Sequence, residues 1–152
     1  MIQALTNRLL DFTPKSPDEN LPQAAVLILC YEKDDDLFFV MTERSNSLPS
    51  HPGEVAFPGG KREKQDKNLK QTALREASEE ISIDPAKVEI LGQLDPLESR
   101  FGLSVTPFVG ILKENFELEP NPDEVADIFY LPLSFFKNKP LIKNGVTNFK
   151  GE

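Results

Sequence analysis

The chain has 152 residues, 39% hydrophobic and 28% charged, with 25 Asp and Glu against 17 Lys and Arg and a formal net charge of −8. This is enough for one domain with its own core, and 11 Phe among many Leu, Ile and Val argue against disorder of the whole chain. The acidity argues against a nucleic-acid backbone or an anionic lipid surface as partner. The lone Cys30 permits no internal disulfide, and nothing resembles a membrane span or a signal peptide, so the cytoplasm is the expected location.

Residues 2–12 form a short amphipathic stretch, and a Pro-rich connector follows over 13–22. Residues 24–31 are a continuous apolar run, as expected of a buried central strand, and Cys30 lies inside it as a buried thiol. Asp34, Asp35 and Asp36 mark a solvated turn. Residues 37–41 form a second strand, which closes a β-hairpin. Residues 44–66 are a long polar loop with one apolar piece, Val55-Ala56-Phe57, ending at Pro58-Gly59-Gly60, and such loops tend to carry function. Residues 68–81 have helical spacing through Leu69, Ala73, Leu74, Ala77 and Ile81, with Asn68 as cap and Asp84-Pro85 as exit. Strands follow over 88–94, 103–112 and 126–131, and Ser134 to Phe136 begin a short helix. Pro107 is expected to place the middle one of these strands at a sheet edge or to mark a bulge. The 13 prolines cut the chain into short pieces, and the order β-β-loop-α-β-β-β predicts an α/β (α+β) domain with a mixed β-sheet sandwiched between helices.

Glu76, Glu79 and Glu80 stand three and four residues apart, so one side of the helix gathers three carboxylates. Like charges at these spacings cost a few tenths of a kcal/mol per pair (~0.2–0.5). A solvated helix face tolerates that cost, and a divalent cation reverses it. Hard oxygen ligands suit Mg2+ or Mn2+. The Phe57-Pro58-Gly59-Gly60 segment predicts a tight Gly-dependent turn that aims a backbone carbonyl toward such an ion. Lys61, Arg62, Lys64, Lys67 and Lys70, against Glu63 and Asp66, make a basic loop running into the acidic helix, as a polyphosphate held by cations at one end and a metal at the other would need.

These residues resemble the Nudix hydrolase motif, G-x5-E-x7-R-E-U-x-E-E-x-G-U with U aliphatic. Gly60, five residues, Asp66, eight residues and Arg75-Glu76-Ala77-Ser78-Glu79-Glu80-Ile81-Ser82-Ile83 follow it, with Asp66 for the first Glu, one extra residue, and Ser82 for Gly. The Asp and the extra residue resemble the coenzyme A pyrophosphatase branch. Its upstream motif, L-L-T-x-R-S-x3-R-x3-G-x3-F-P-G-G, is matched by Val40-Met41-Thr42-Glu43-Arg44-Ser45, Gly53 and Phe57-Pro58-Gly59-Gly60. Pro49 stands where that motif has its second Arg. Members of the branch often continue into a Trp-containing strand. This chain has no Trp and stops at Glu152, so residues 1–152 are expected to be a single domain of a short or trimmed member.

The resemblance implies a metal-dependent hydrolase of pyrophosphates in nucleotide-type small molecules, working as monomer or homodimer. Coenzyme A or its thioesters lead as substrate; ADP-ribose or a nucleoside triphosphate, and a catalytically silent binding module, are the alternatives. Glu76, Glu79 and Glu80 are the implied metal ligands for Mg2+ or Mn2+, with the Gly60 carbonyl as a fourth. Arg75 is expected to orient a helix carboxylate. The general base is a helix glutamate or Glu124, unless Glu124 is a solvated loop acid. Arg44, unless it is a surface charge, Lys61 and Arg62 are the candidate phosphate contacts, and His51 is either another or a structural residue. Phe101 is a candidate platform for adenine, against a place in the core.

Overall fold

The central element is β1 (Gln23–Lys33), whose apolar run is flanked on both edges and covered on both faces. In this computed structural model, residues 1–49, 51–113 and 116–137 are described. Ala25, Leu27 and Leu29 point to one face and Cys30 to the other, all fully buried, the two-residue alternation of a strand buried on both sides. β1 turns into β2 (Asp36–Arg44) through Asp34 and Asp35, both in the left-handed region at φ +52° and +62°. Asp tolerates that region, and two such residues in a row suit the twist of a hairpin.

The hairpin pairs only from Lys33↔Asp36 to Cys30↔Phe39. Beyond that point β1 and β2 part, and two short strands take up their free edges. β3 (Val55–Ala56) pairs with β2, and β4 (Gly59–Lys61) pairs with β1. On its other edge β2 pairs with β8 (Val125–Pro132), with a register shift between Glu43 and Arg44. β1 runs parallel to β7 (Ser104–Leu112), and β5 (Val88–Gln93) and β6 (Leu97–Glu98) lie antiparallel along the far edge of β7.

Two sequence expectations are corrected here. β7 is an interior strand rather than an edge. Pro107 is accommodated because it lies between the residues paired to β5 (108–112) and those paired to β6 (104–105). Its carbonyl accepts from the Leu94 N–H at 2.9 Å, and a strand residue's N–H faces the same way as its C=O, so the missing donor falls in that gap. The expected tight turn at Gly59-Gly60 is instead β4, and neither glycine has a positive φ. Glycine is required there for space: a Cβ on Gly59 would stand 2.5 Å from the Ala25 carbonyl oxygen, and one on Gly60 would overlap the Glu76 carboxylate.

α2 (Leu69–Ile81) lays Ala73, Ala77 and Ile81 on the Ala25–Leu27–Leu29 face, with Val40, Phe108 and Leu112 in the same cluster. α1 (Ile2–Asp11) covers the opposite face, where Ile2 and Leu5 pack on Cys30, Leu37 and Ile111, and Leu9 lies against Gly92. α3 (Leu133–Lys137) follows β8 directly. The mixed sheet between helices is therefore as expected. Burial pushes the Cys30 thiol up to about 12, which makes it an inert core group. Among the described residues no helix is long and apolar enough to cross a membrane. The chain's end at Glu152 lies outside the described residues.

Candidate active site

The parted strands and α2 bring the candidate residues together. Asn68 caps the helix, its side chain accepting from the Gln71 N–H at 2.8 Å. At the other end Ser82 takes the left-handed cap position at φ +62°, where glycine is usual, and its hydroxyl donates to the Glu119 carbonyl at 3.1 Å. With the Ala73–Ala77–Ile81 stripe against the sheet, Glu76 and Glu80 fall beside it, one turn apart, under β4. The Glu76 side chain is 14% exposed, whereas that of Glu79 is 47% exposed. The structure thus divides the three helix glutamates into two that turn in and one at the rim.

The inward pair faces Glu124, from the turn before β8. Burial, and then the charges of Glu79 and Glu124, raise the Glu76 carboxyl to about 7 despite Arg75 beside it. Burial, and then Glu76 and Glu124, raise Glu80 to about 9, against weaker opposing effects of the Gly59 N–H and Arg44. The Gly59 N–H approaches Glu80 Oε2 at 3.4 Å. Glu124 has one carboxylate oxygen, Oε2, buried without a hydrogen-bond partner, while its backbone carbonyl accepts from Ser45 at 2.9 Å.

Arg75 holds the entrance to this bed. Its Nε and Nη2 grip the two oxygens of Asp66 at 2.9 and 3.0 Å, Nη2 also reaches the Lys61 carbonyl at 3.0 Å, and Nη1 reaches Glu76 at 3.3 Å and Glu79 at 3.2 Å. Asp66 is 4% exposed and also accepts from the Thr72 hydroxyl and the Glu63 N–H, each at 2.9 Å. These bonds, the Arg75 pair foremost, hold its carboxyl well below the usual range. The motif and the charge pattern of the loop both include Asp66, but neither indicates that it anchors Arg75 or that Thr72 supports it, because those contacts depend on how the loop folds back on the helix.

Arg44 stands at the end of β2, close enough to Glu80 to stabilise its charge. His51 and Phe101 are brought together by two loops, with ring centroids 5.0 Å apart. Lys61 and Arg62 are not brought to the glutamates. Gly60 faces Glu76, so the alternation of β4 points Lys61 the other way, and Arg62 donates to the carbonyls of Asp66 and Lys67 at 3.2 Å. A cavity of about 530 Å3 opens between Leu21, Pro22 and Gln23 and the basic loop at Lys61, Arg62, Glu63, Lys64 and Asp66. None of Glu76, Glu79, Glu80 and Glu124 lines it, and Arg75, bonded to Asp66, the Lys61 carbonyl, Glu76 and Glu79, links the basic loop to the acidic bed.

Among the described residues no three His, Cys, Asp or Glu side chains already stand in metal-holding geometry. The donor set nevertheless fits a hard divalent cation. Glu76 and Glu80 repel each other and Glu124 in a poorly solvated place, and the buried Glu124 Oε2 lacks a hydrogen-bond partner.

Comparison with known proteins places this geometry. The NUDIX domain family model matches residues 21–147. A Photorhabdus laumondii protein named uncharacterized Nudix hydrolase NudL is 50% identical over 80% of this chain and 64% of its own length. The mouse protein named peroxisomal coenzyme A diphosphatase NUDT7 is 43% identical over 74% of this chain and 48% of its own. The chain thus spans about half to two thirds of the length of these relatives. In fold it resembles a C. elegans Ap4A hydrolase, with a TM-score of 0.65 at 18% identity over 85% of this chain and 88% of that one. It also resembles the NUDIX domain of Shewanella oneidensis NrtR crystallised with ADP ribose, with a TM-score of 0.61 at 21% identity over 88% and 86%.

Proposed function

The chain belongs to the NUDIX domain family, and from that premise we propose that it is a Mg2+- or Mn2+-dependent pyrophosphohydrolase acting on coenzyme A or its thioesters. The products are 3′,5′-ADP and a 4′-phosphopantetheine compound. The observation that carries the reading is that Glu76 and Glu80 turn in beneath Gly60 and Gly59 of β4, within reach of the charge of Glu124. The choice of substrate is supported by the upstream motif around Arg44 and Phe57-Pro58-Gly59-Gly60, and by the 43% identity to the mouse coenzyme A diphosphatase.

Glu76 and Glu80 would hold the cation, whereas the Gly60 carbonyl, expected as a further ligand, lies in the ladder opposite Ala25. When bound, the cation neutralises charge on the phosphates and lowers the pKa of water. Arg75, fixed by Asp66, keeps Glu76 and Glu79 in place. Glu124 Oε2, buried without a partner, accepts the proton of the attacking water. Arg44 contacts a substrate phosphate from the far side of the bed, where a guanidinium suits phosphate geometry.

The test is a substrate panel with Mg2+ or Mn2+, containing coenzyme A, an acyl-coenzyme A, ADP-ribose, a dinucleoside polyphosphate and a nucleoside triphosphate, with products identified by mass. Coenzyme A is expected to be split at the pyrophosphate. Cleavage of another member with coenzyme A left intact overturns the substrate reading. Pro49, in place of the second motif Arg, favours ADP-ribose or a nucleoside triphosphate as the second reading.

A further inference from the structure

Phe101 is the most exposed aromatic ring among the described residues, at 61%, and yet it is held in a defined position. The turn beneath it is closed on Ser99, which is itself buried. The Ser99 N–H donates to the Leu103 carbonyl at 2.8 Å, and its hydroxyl oxygen accepts from the N–H groups of Phe101 and Leu103 at 3.3 and 3.1 Å. Gly102 completes the turn at φ +78°. The His51 ring meets Phe101 at 74° between planes, and His51 is tied through Nδ1 to Glu54 Oε2 at 2.6 Å. The Arg100 guanidinium stands 5.5 Å from the centre of the Phe101 ring.

Ordering a ring that remains in water contributes little to folding, whereas it lowers the cost of binding a ligand there. The place of the ring in the fold indicates which ligand. The 51–54 turn is bonded to Arg44, whose N–H donates to the Glu54 carbonyl at 2.8 Å and whose carbonyl accepts from Gly53 at 3.1 Å. Arg44 in turn faces Glu80. An exposed ring with a guanidinium over it suits a flat base joined to an anionic group.

We propose that Phe101 is the platform on which the substrate's nucleobase stacks, and that Arg100 is a specificity residue binding a phosphate on its ribose. This rests on the reading of the chain as a hydrolase of nucleotide pyrophosphates. The His51–Glu54 contact fixes the ring.

Calorimetric binding of 3′,5′-ADP and of 5′-AMP, with Mg2+ present, tests the proposal in wild type, Phe101→Ala and Arg100→Ala. Both side chains are exposed, so both variants are expected to melt like wild type. Phe101→Ala is expected to weaken both ligands by about tenfold. Arg100→Ala is expected to weaken 3′,5′-ADP by about tenfold and leave 5′-AMP unchanged. Wild-type affinity in both variants, no binding by wild type, or equal weakening of both ligands by Arg100→Ala overturns the assignment. The expected binding pattern in a protein that leaves coenzyme A uncut supports this surface and overturns only the substrate reading.

Discussion

Glu80 is the residue on which stability and activity pull in opposite directions. Its carboxyl is raised to about 9 and that of Glu76 to about 7, from an ordinary 4.5, chiefly by burial. A carboxyl raised in the folded state binds its proton more tightly there than in the unfolded chain. The metal-free fold therefore gains from these groups at low pH and loses that gain as pH rises from about 4.5 through 7 and 9. The Tm of the metal-free chain is expected to fall by several degrees between about pH 5 and 9, and saturating Mg2+ is expected to remove most of that fall, as read by calorimetry. Glu80→Gln abolishes the cost of protonating this carboxyl on folding without changing the shape. It is expected to raise the metal-free Tm at about pH 8 while lowering kcat by at least ~100-fold. A folded variant with wild-type turnover would contradict the role. The three carboxylates were legible in the helix spacing. Which two turn inward was not, because that depends on β4 and on the turn carrying Glu124, both distant in sequence.

β4 shows how an element of three residues controls the bed. Its two glycines are needed for different reasons, and alanine separates them. Gly59→Ala drives a methyl into the Ala25 backbone, where nothing yields cheaply, so a loss of about 1–3 kcal/mol in denaturant unfolding is expected. Gly60→Ala meets only the end of the Glu76 side chain. It is expected to leave stability near wild type and to weaken Mn2+ binding by at least about tenfold, because Glu76 must move. Equal effects of the two substitutions on stability would show that Glu76 is not free to give way. The long elements were legible because each has a run or a period: β1 in its apolar stretch, α2 in Leu69, Ala73, Ala77 and Ile81. β3 showed only as the apolar piece Val55-Ala56-Phe57, and β4 and β6 did not show, since two or three residues carry no pattern and pair only because longer strands present edges to them. Pro107 misled for a related reason: its lack of an N–H matters only on the side where a partner needs one, and there β5 has ended and β6 not yet begun.

Over the whole molecule the charge of −8 sets the terms for an anionic substrate. The acids concentrate at the Asp34–Asp36 turn and around the turn before β8, while Lys61 and Lys64 line a cavity that none of the bed carboxylates lines. Without metal, the bed repels phosphate. In EDTA, coenzyme A is expected to leave the Tm unshifted, and to raise it only once a divalent ion is added. A clear shift by coenzyme A alone would place its binding away from the glutamates. The parting of β1 and β2 has one more consequence. Residues 45–54 span from the end of β2 to the start of β3, two points already fixed by pairing, and that segment carries His51 to Phe101 while Glu76 and Glu80 ride on a separate helix. Apart from Ser45, whose N–H holds the Glu124 carbonyl, the span can therefore drift from one descendant to another without disturbing the helix glutamates, so a lineage can change what it recognises while the carboxylate bed is inherited intact.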